Sequence, residues 1–170
     1  MKRDDGMFVR KDAVFSDDGL YRYRLTRVWD ESLPVLGWCA LNPSTADMVE
    51  LDPTTWRMVE FSMKFGYGGF DLANMYAFKS TDPKDLWKAK DPVGPDNDKA
   101  IARIALSTEA MVVCWGGNAR RDRVYTVTKL LQAIEKPLWC LRLTKGSGKK
   151  MPQPEHPLYL PGNVERIAWP

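Results

Sequence analysis

Val35-Leu36-Gly37-Trp38-Cys39-Ala40-Leu41 is a run without charge, and Asn42-Pro43-Ser44-Thr45-Ala46-Asp47 follows at once. An uncharged run of this length suits a strand covered on both faces, as in a parallel sheet. Pro43 has no N–H to give a ladder, so pairing must stop there. Asn42, Ser44, Thr45 and Asp47 therefore collect amide, hydroxyl and carboxylate groups at the strand's carboxyl end. In open α/β sheets that end is where ligands bind. A strand buried on both sides needs further strands beside it and helices over both faces, and the rest of the chain is read for them.

Upstream, Ala13-Val14-Phe15, the turn residues Ser16-Asp17-Asp18-Gly19 and the alternating stretch 20–29 make an antiparallel hairpin. Its alternation puts Leu20, Arg22, Arg24 and Thr26 on one face, read as a solvated face with a phosphate role as the alternative. Downstream, Asp52-Pro53 is an N-cap followed by proline at the first helical position. Trp56, Val59 and Met63 then recur at helical spacing, and Gly66 ends the helix. Residues 70–78 form a second strand, and Asp82-Pro83 caps a short helix. Asp96-Asn97-Asp98 opens a helix that turns Ile101, Ile104 and Ala105 inward. Residues 110–115 form a third strand, 120–135 an amphipathic helix with Val127, Leu130, Leu131 and Ile134 on its apolar side, and 137–143 a fourth strand. The basic loop 145–150 leads to His156-Pro157.

Strands alternating with helices predict a three-layer α/β/α fold, with a central four-stranded, mostly parallel sheet and an N-terminal antiparallel hairpin. A single domain over residues 1–170 is expected: 1–12 loose, 13–34 the hairpin and 35–160 the α/β core. At 44% apolar residues the composition is globular, and a net charge of +3 permits a phosphate-bearing partner without demanding one. Cys39, Cys114 and Cys140 each sit in an apolar run with no metal-ligand spacing, so they read as reduced, buried thiols and no metal or other cofactor is expected. No leader heads the sequence and no apolar run reaches membrane-spanning length, so a cytoplasmic protein without membrane contact is expected.

Under this topology four strand ends meet at one rim. They bring Asn42, Pro43, Ser44, Thr45 and Asp47 from the first, and Asn74 and Tyr76 from the second. Trp115, Gly116, Gly117 and Asn118 come from the third, and His156, the sole histidine, from beyond the fourth. Gly116-Gly117 reads either as a tight turn or as a backbone cradle for an anion at a helix N-terminus, with Arg121 beside it. Asn74 is either a satisfied buried amide or a ligand contact. Asp52 and Asp82 read as caps.

Asn42-Pro43 after an apolar strand, Leu72-Ala73-Asn74, Trp115-Gly116-Gly117 and His156-Pro157 resemble, in that order, the uracil-DNA glycosylase superfamily. The resemblance implies that the Asn-Pro loop positions water, that Asn74 reads a base edge, and that His156 stabilises the departing base. Leu158 stands where the superfamily's loop carries serine, and the residues after 160 leave little length for its DNA wedge and final helix. Nearly end to end, the chain is similar to a narrower family of bacteria and phages known as domain of unknown function 1643. That likeness rests on 41–47, Asp52-Pro53-Thr54 with Arg57, 66–69, 74–78 and 91–98.

Two functions follow as expectations. The first is binding, processing or sequestration of a nucleobase-containing ligand, a nucleotide or nucleotide-derived signal. In it Asn42, Asn74 and Asn118 meet base edges, Tyr76 or Trp115 stacks, and Arg121 holds phosphate. The second is a DNA glycosylase, a hydrolase of the N-glycosidic bond, with Asn42 or Asp47 orienting water and His156 acting on the leaving base. A non-catalytic interaction domain is the third reading.

Overall fold

The computed structural model describes residues 5–44 and 50–170. Its strands are β1 (Arg10–Phe15), β2 (Arg22–Val28), β3 (Val35–Ala40), β4 (Gly69–Asn74), β5 (Met111–Val113), β6 (Leu138–Cys140) and β7 (Ile167–Ala168). The helices are α1 (Pro53–Lys64), α2 (Pro83–Leu86), α3 (Asn97–Ser107) and α4 (Arg121–Ala133). The strands form one sheet in the order β1-β2-β4-β3-β5-β6-β7. β4, β3, β5 and β6 run parallel, while β1, β2 and β7 join antiparallel.

The expected four-stranded, mostly parallel sheet is thus the centre of a seven-stranded mixed one. The hairpin does not merely pack on an edge: β2 hydrogen-bonds to β4, with Leu25 opposite Leu72. At the other edge β7 pairs with β6, with Trp139 opposite Ala168. Two short, exposed residues of strand carry no periodicity, so β7 has no signature in the sequence.

Side-chain alternation along β3 builds the two cores. Leu36, Trp38 and Ala40 pack with Met58, Val59 and Phe61 of α1. Cys39 and Leu41 face the other way, against Ile101, Ile104 and Ala105 of α3 and Val127 and Leu131 of α4. α1 therefore covers one face and α3 and α4 the other. Right-handed crossovers require that arrangement when the chain moves from β3 first to one side and then to the other. Gly37 is needed where α3 ends, because a Cβ there would lie 2.1 Å from Met111 Sδ. Met63, read as apolar face, is exposed, and the buried side of α1 runs through Thr55, Met58, Val59, Phe61 and Ser62.

The arginines of the hairpin are not a solvated face. Arg22 and Arg27 are buried, and Arg24 pairs with buried Asp71 of β4 through Nε at 2.9 Å. Lying between β1 and β4, β2 has no open side, and long polar side chains there must find partners inside. The simple alternation also fails. Val14 is opposite Arg24 and Phe15 opposite Arg22, so Tyr23 is the extra residue of a β-bulge. A bulge bends its strand and re-aims side chains. Arg22 consequently points to the α1 side of the sheet, while Tyr23 and Arg24 line a cleft on the α3 side.

Candidate functional site

β3 connects through α1 to β4 on one side, and β5 lies on the other side of β3. The strand order reverses there, and a crevice opens at the carboxyl ends. A pocket of about 450 Å³ occupies it, on the α1 side of the sheet. Its wall takes Asn42 and Ser44 from beyond β3, Asn74 from β4, and Trp115, Gly116, Gly117 and Asn118 from beyond β5. His156 and Glu155 close it from the far side, and the start of α1 and Arg22 complete it. Its size falls within the range of small-molecule sites.

Asn74 is the last residue of β4 and, like Phe70 and Leu72, faces α1. Only 2% of it is exposed, and its Nδ2 has no hydrogen-bond partner among the described residues. Its backbone is held from behind. Asn97 Nδ2 donates to the carbonyls of Asn74 and Met75 at 2.9 and 3.1 Å. Arg123 Nε donates to Met75 O at 2.7 Å, and its guanidinium lies 2.7 Å from Asp98. The start of α3 and a buried arginine of α4 thus set the position of a side chain on the opposite face of the sheet.

Asn42 Nδ2 donates to the carbonyls of Pro43 and Ser80, both at 3.0 Å. With both donors engaged on backbone, Asn42 presents its side-chain carbonyl oxygen as the remaining group. Pro43 is a buried clamp whose carbonyl also accepts from Ser80 N. Ser44 Oγ donates to Asp52 Oδ2, while Asp52 Oδ1 accepts from Thr55 N at 2.8 Å as the N-cap of α1. Thr45 and Asp47 lie outside the described residues.

His156 caps a one-turn 3-10 helix (Pro157–Tyr159), its Nδ1 accepting from Leu158 N at 3.4 Å. Burial holds its pKa below the ordinary value, against the opposing pull of Asp52. The ring is therefore neutral near pH 7, and with Nδ1 accepting, its proton sits on Nε2. Glu155 is gripped by Arg142 through Nε at 2.7 Å and the other guanidinium nitrogen at 2.9 Å. That grip lowers the Glu155 pKa.

The Gly116-Gly117 turn is not an open anion cradle. Gly116 takes a left-handed conformation (φ 72°), and its N–H donates to Pro154 O at 2.7 Å. Trp115 is buried, with Nε1 donating to Gln153 Oε1 at 2.8 Å and its ring edge-on to Trp169. Tyr76 lies on the other face, in the α3–α4 core, where its hydroxyl accepts from Arg120 N. Arg121 opens α4 on the surface, away from the pocket wall. Phosphate binding by Arg121 with this turn and stacking by Tyr76 thus have no support in the geometry. Asn42, Ser44, Asn74, Trp115, Gly116, Gly117, Asn118 and His156 do meet. Glu155 and the exposed Tyr159 join them unannounced, and Arg22, read as part of a solvated face with a phosphate role as the alternative, is buried at the pocket because the bulge turns it to this side.

Among the described residues no cluster of three His, Cys, Asp or Glu side chains could hold a metal ion. No helix there is long and apolar enough to cross a membrane. Searches among curated proteins and among solved structures returned no significant match. The family described as "protein of unknown function (DUF1643)" matches residues 22–158, a span that holds the whole parallel core and every described wall residue named above except Tyr159, and the chain belongs to that family.

Proposed function

We propose that the pocket at the carboxyl ends of the parallel strands recognises a nucleobase-containing small molecule. The observation that carries this is Asn74, a buried carboxamide on the cavity wall whose Nδ2 donor has no partner among the described residues. An unpaired buried donor costs about 1–3 kcal/mol, and a ligand acceptor removes that cost. Asn42 adds an acceptor from the neighbouring strand, so the wall offers the donor and acceptor that the edge of a base requires. Three buried free thiols fit a reducing cytoplasm as the place of action.

Calorimetry against bases, nucleosides and nucleotides tests the reading. Binding of at least one of them, abolished by Asn74→Leu, is expected; silence across the panel overturns it.

A second reading, hydrolysis of an N-glycosidic bond in DNA on a uracil-DNA glycosylase-like framework, has one observation in its favour. His156 is neutral, carries its proton on Nε2, and senses the charge of Asp52 across the pocket. A neutral imidazole can stabilise an anionic leaving base. Oligonucleotides bearing uracil, hydroxymethyluracil or alkylated bases decide it: strand scission after abasic-site cleavage supports it, and intact strands with every lesion remove it.

A further inference from the structure

We propose that the sugar of the ligand is an intact ribose and that Glu155 accepts hydrogen bonds from its vicinal hydroxyls. This rests on the base-recognition reading above and narrows the class of molecule to ribonucleosides and their derivatives.

Among the described residues the pocket wall carries two carboxylates, Asp52 and Glu155, and they are engaged to different degrees. Asp52 is nearly filled: Ser44 Oγ donates to Oδ2, and Thr55 N and Oγ1 both donate to Oδ1 at 2.8 Å. The Glu155 carboxylate meets Arg142 alone among the described residues, one guanidinium nitrogen on each oxygen at 2.7 and 2.9 Å. A carboxylate oxygen has two lone pairs, so each oxygen of Glu155 keeps one acceptor site.

That carboxylate is also held in place. Glu155 N donates to Arg142 O at 2.7 Å, so the two residues face each other across a short ribbon that the ion pair closes. The hydrogen bond from Arg142 keeps the carboxyl below its usual pKa, and it is ionised at neutral pH. Two acceptor sites side by side on an ionised group match a vicinal diol, and an acidic residue reads ribose in this way in dinucleotide-binding folds. His156, the next residue and on the same wall, carries its proton on Nε2 because Nδ1 accepts from Leu158 N. A hydroxyl both donates and accepts, so an acceptor beside a donor suits sugar hydroxyls better than a base amine, which only donates.

The spacing agrees. Asn74 ends β4, β3 lies between β4 and β5, and Gly116 just past β5 donates to Pro154 O. With neighbouring strands about 4.8 Å apart, the end of β4 and the chain at Pro154 stand about 10 Å apart, the span of a nucleoside from base edge to sugar hydroxyls. One cavity then seats the base on the Asn74 side and the sugar on the Glu155 side.

Calorimetry on the wild-type protein compares adenosine, guanosine, cytidine and uridine with their 2′-deoxy and 3′-deoxy counterparts. For the base that binds, loss of either hydroxyl is expected to weaken binding by at least about tenfold, the size of one hydrogen bond to a charged group. Glu155→Leu removes both acceptors and should reduce the ribose preference to within about threefold. A smaller gap than tenfold on the wild-type protein, or a preference for the deoxy forms, overturns the inference and leaves base recognition standing, a comparison that needs no variant to fold. A ribose preference that stays above about threefold in Glu155→Leu overturns the assignment to Glu155. Binding of neither series overturns both readings.

Discussion

At the scale of single residues the site turns on two side chains whose environments are unusual for their type. Asn74 is buried with a donor unmatched, so replacing it with an apolar residue of similar volume removes a cost rather than a bond. Asn74→Leu is expected to melt at the wild-type temperature or above it while ligand binding falls by more than about tenfold. A stability loss comparable to a core truncation would mean that Asn74 serves the fold. His156 has its pKa lowered by burial. Above the ordinary value of 6.5 it is neutral both folded and unfolded and adds nothing to the pH dependence. As the pH falls through that value toward the depressed folded pKa, the unfolded chain takes up the proton first, so stability declines. Urea midpoints between about pH 7.5 and pH 5 should drop less steeply for His156→Asn than for wild type. Equal slopes would remove His156 as the source. Both residues stand out in the sequence, Asn74 as an amide inside an apolar strand and His156 as the sole histidine.

At the scale of elements, the start of α1 joins fold to site. Asp52 accepts from Thr55 N and Thr55 Oγ1 while also holding Ser44, so one carboxylate caps the helix and ties the loop after β3 to it. Asp52→Ala is expected to cost about 1–2 kcal/mol in denaturant unfolding, and Asp52→Asn much less, because asparagine caps nearly as well. Equal losses in the two variants would show that charge rather than capping matters. This cap was legible because a carboxylate before proline is a signal contained in two adjacent residues. The bulge at Tyr23 was not. The alternation of Tyr21-Arg22-Tyr23-Arg24 reads as a regular strand, and only the register against β1 shows that one residue is extra. The same holds for the hold of Asn97 and Arg123 on the end of β4, since nothing near Asn97 in sequence points to the carbonyl it meets.

At the scale of the whole molecule, the three thiols report on cooperativity. Cys39 lies in β3, Cys140 in β6 and Cys114 just beyond β5, in the middle of the sheet. Burial pushes the Cys39 thiol up to about 12 and Cys140 to about 11, and raises Cys114 as well. Neither access nor thiolate is present in the native state. A chromogenic disulfide reagent at about pH 8 is expected to leave all three untouched until the protein unfolds, and then to titrate them together. Stepwise reaction in native buffer would show the central strands opening locally. The carboxyl-terminal stretch bears on the same unit. Lys64 Nζ donates to Val164 O at 2.7 Å, Arg166 stacks over Phe65 and Trp139, and β7 extends the sheet, so residues beyond 160 brace α1 against β6.

What the sequence determined by itself was the order and kind of the elements from β2 to β6, the buried central strand halted at Pro43, the capped starts of α1 and α2, and the burial of the cysteines. Those are consequences of short-range chemistry: missing N–H groups, caps and hydrophobic periodicity act over a few neighbouring residues. β7 and the start of β1 at Arg10, within a stretch read as loose, were not foreseen. The sequence already brought Asn42, Asn74, Trp115 and His156 to one rim, but the final membership of the pocket was decided by the tertiary structure. Bulge, twist and cross-strand register set where a side chain at a strand end points, and a change of one position sends it through to the other face of the sheet. For that reason Tyr76, in the sequence beside Asn74 and Met75, belongs to the opposite core, while Arg22, remote from both along the chain, faces the same cavity as Asn74 and His156.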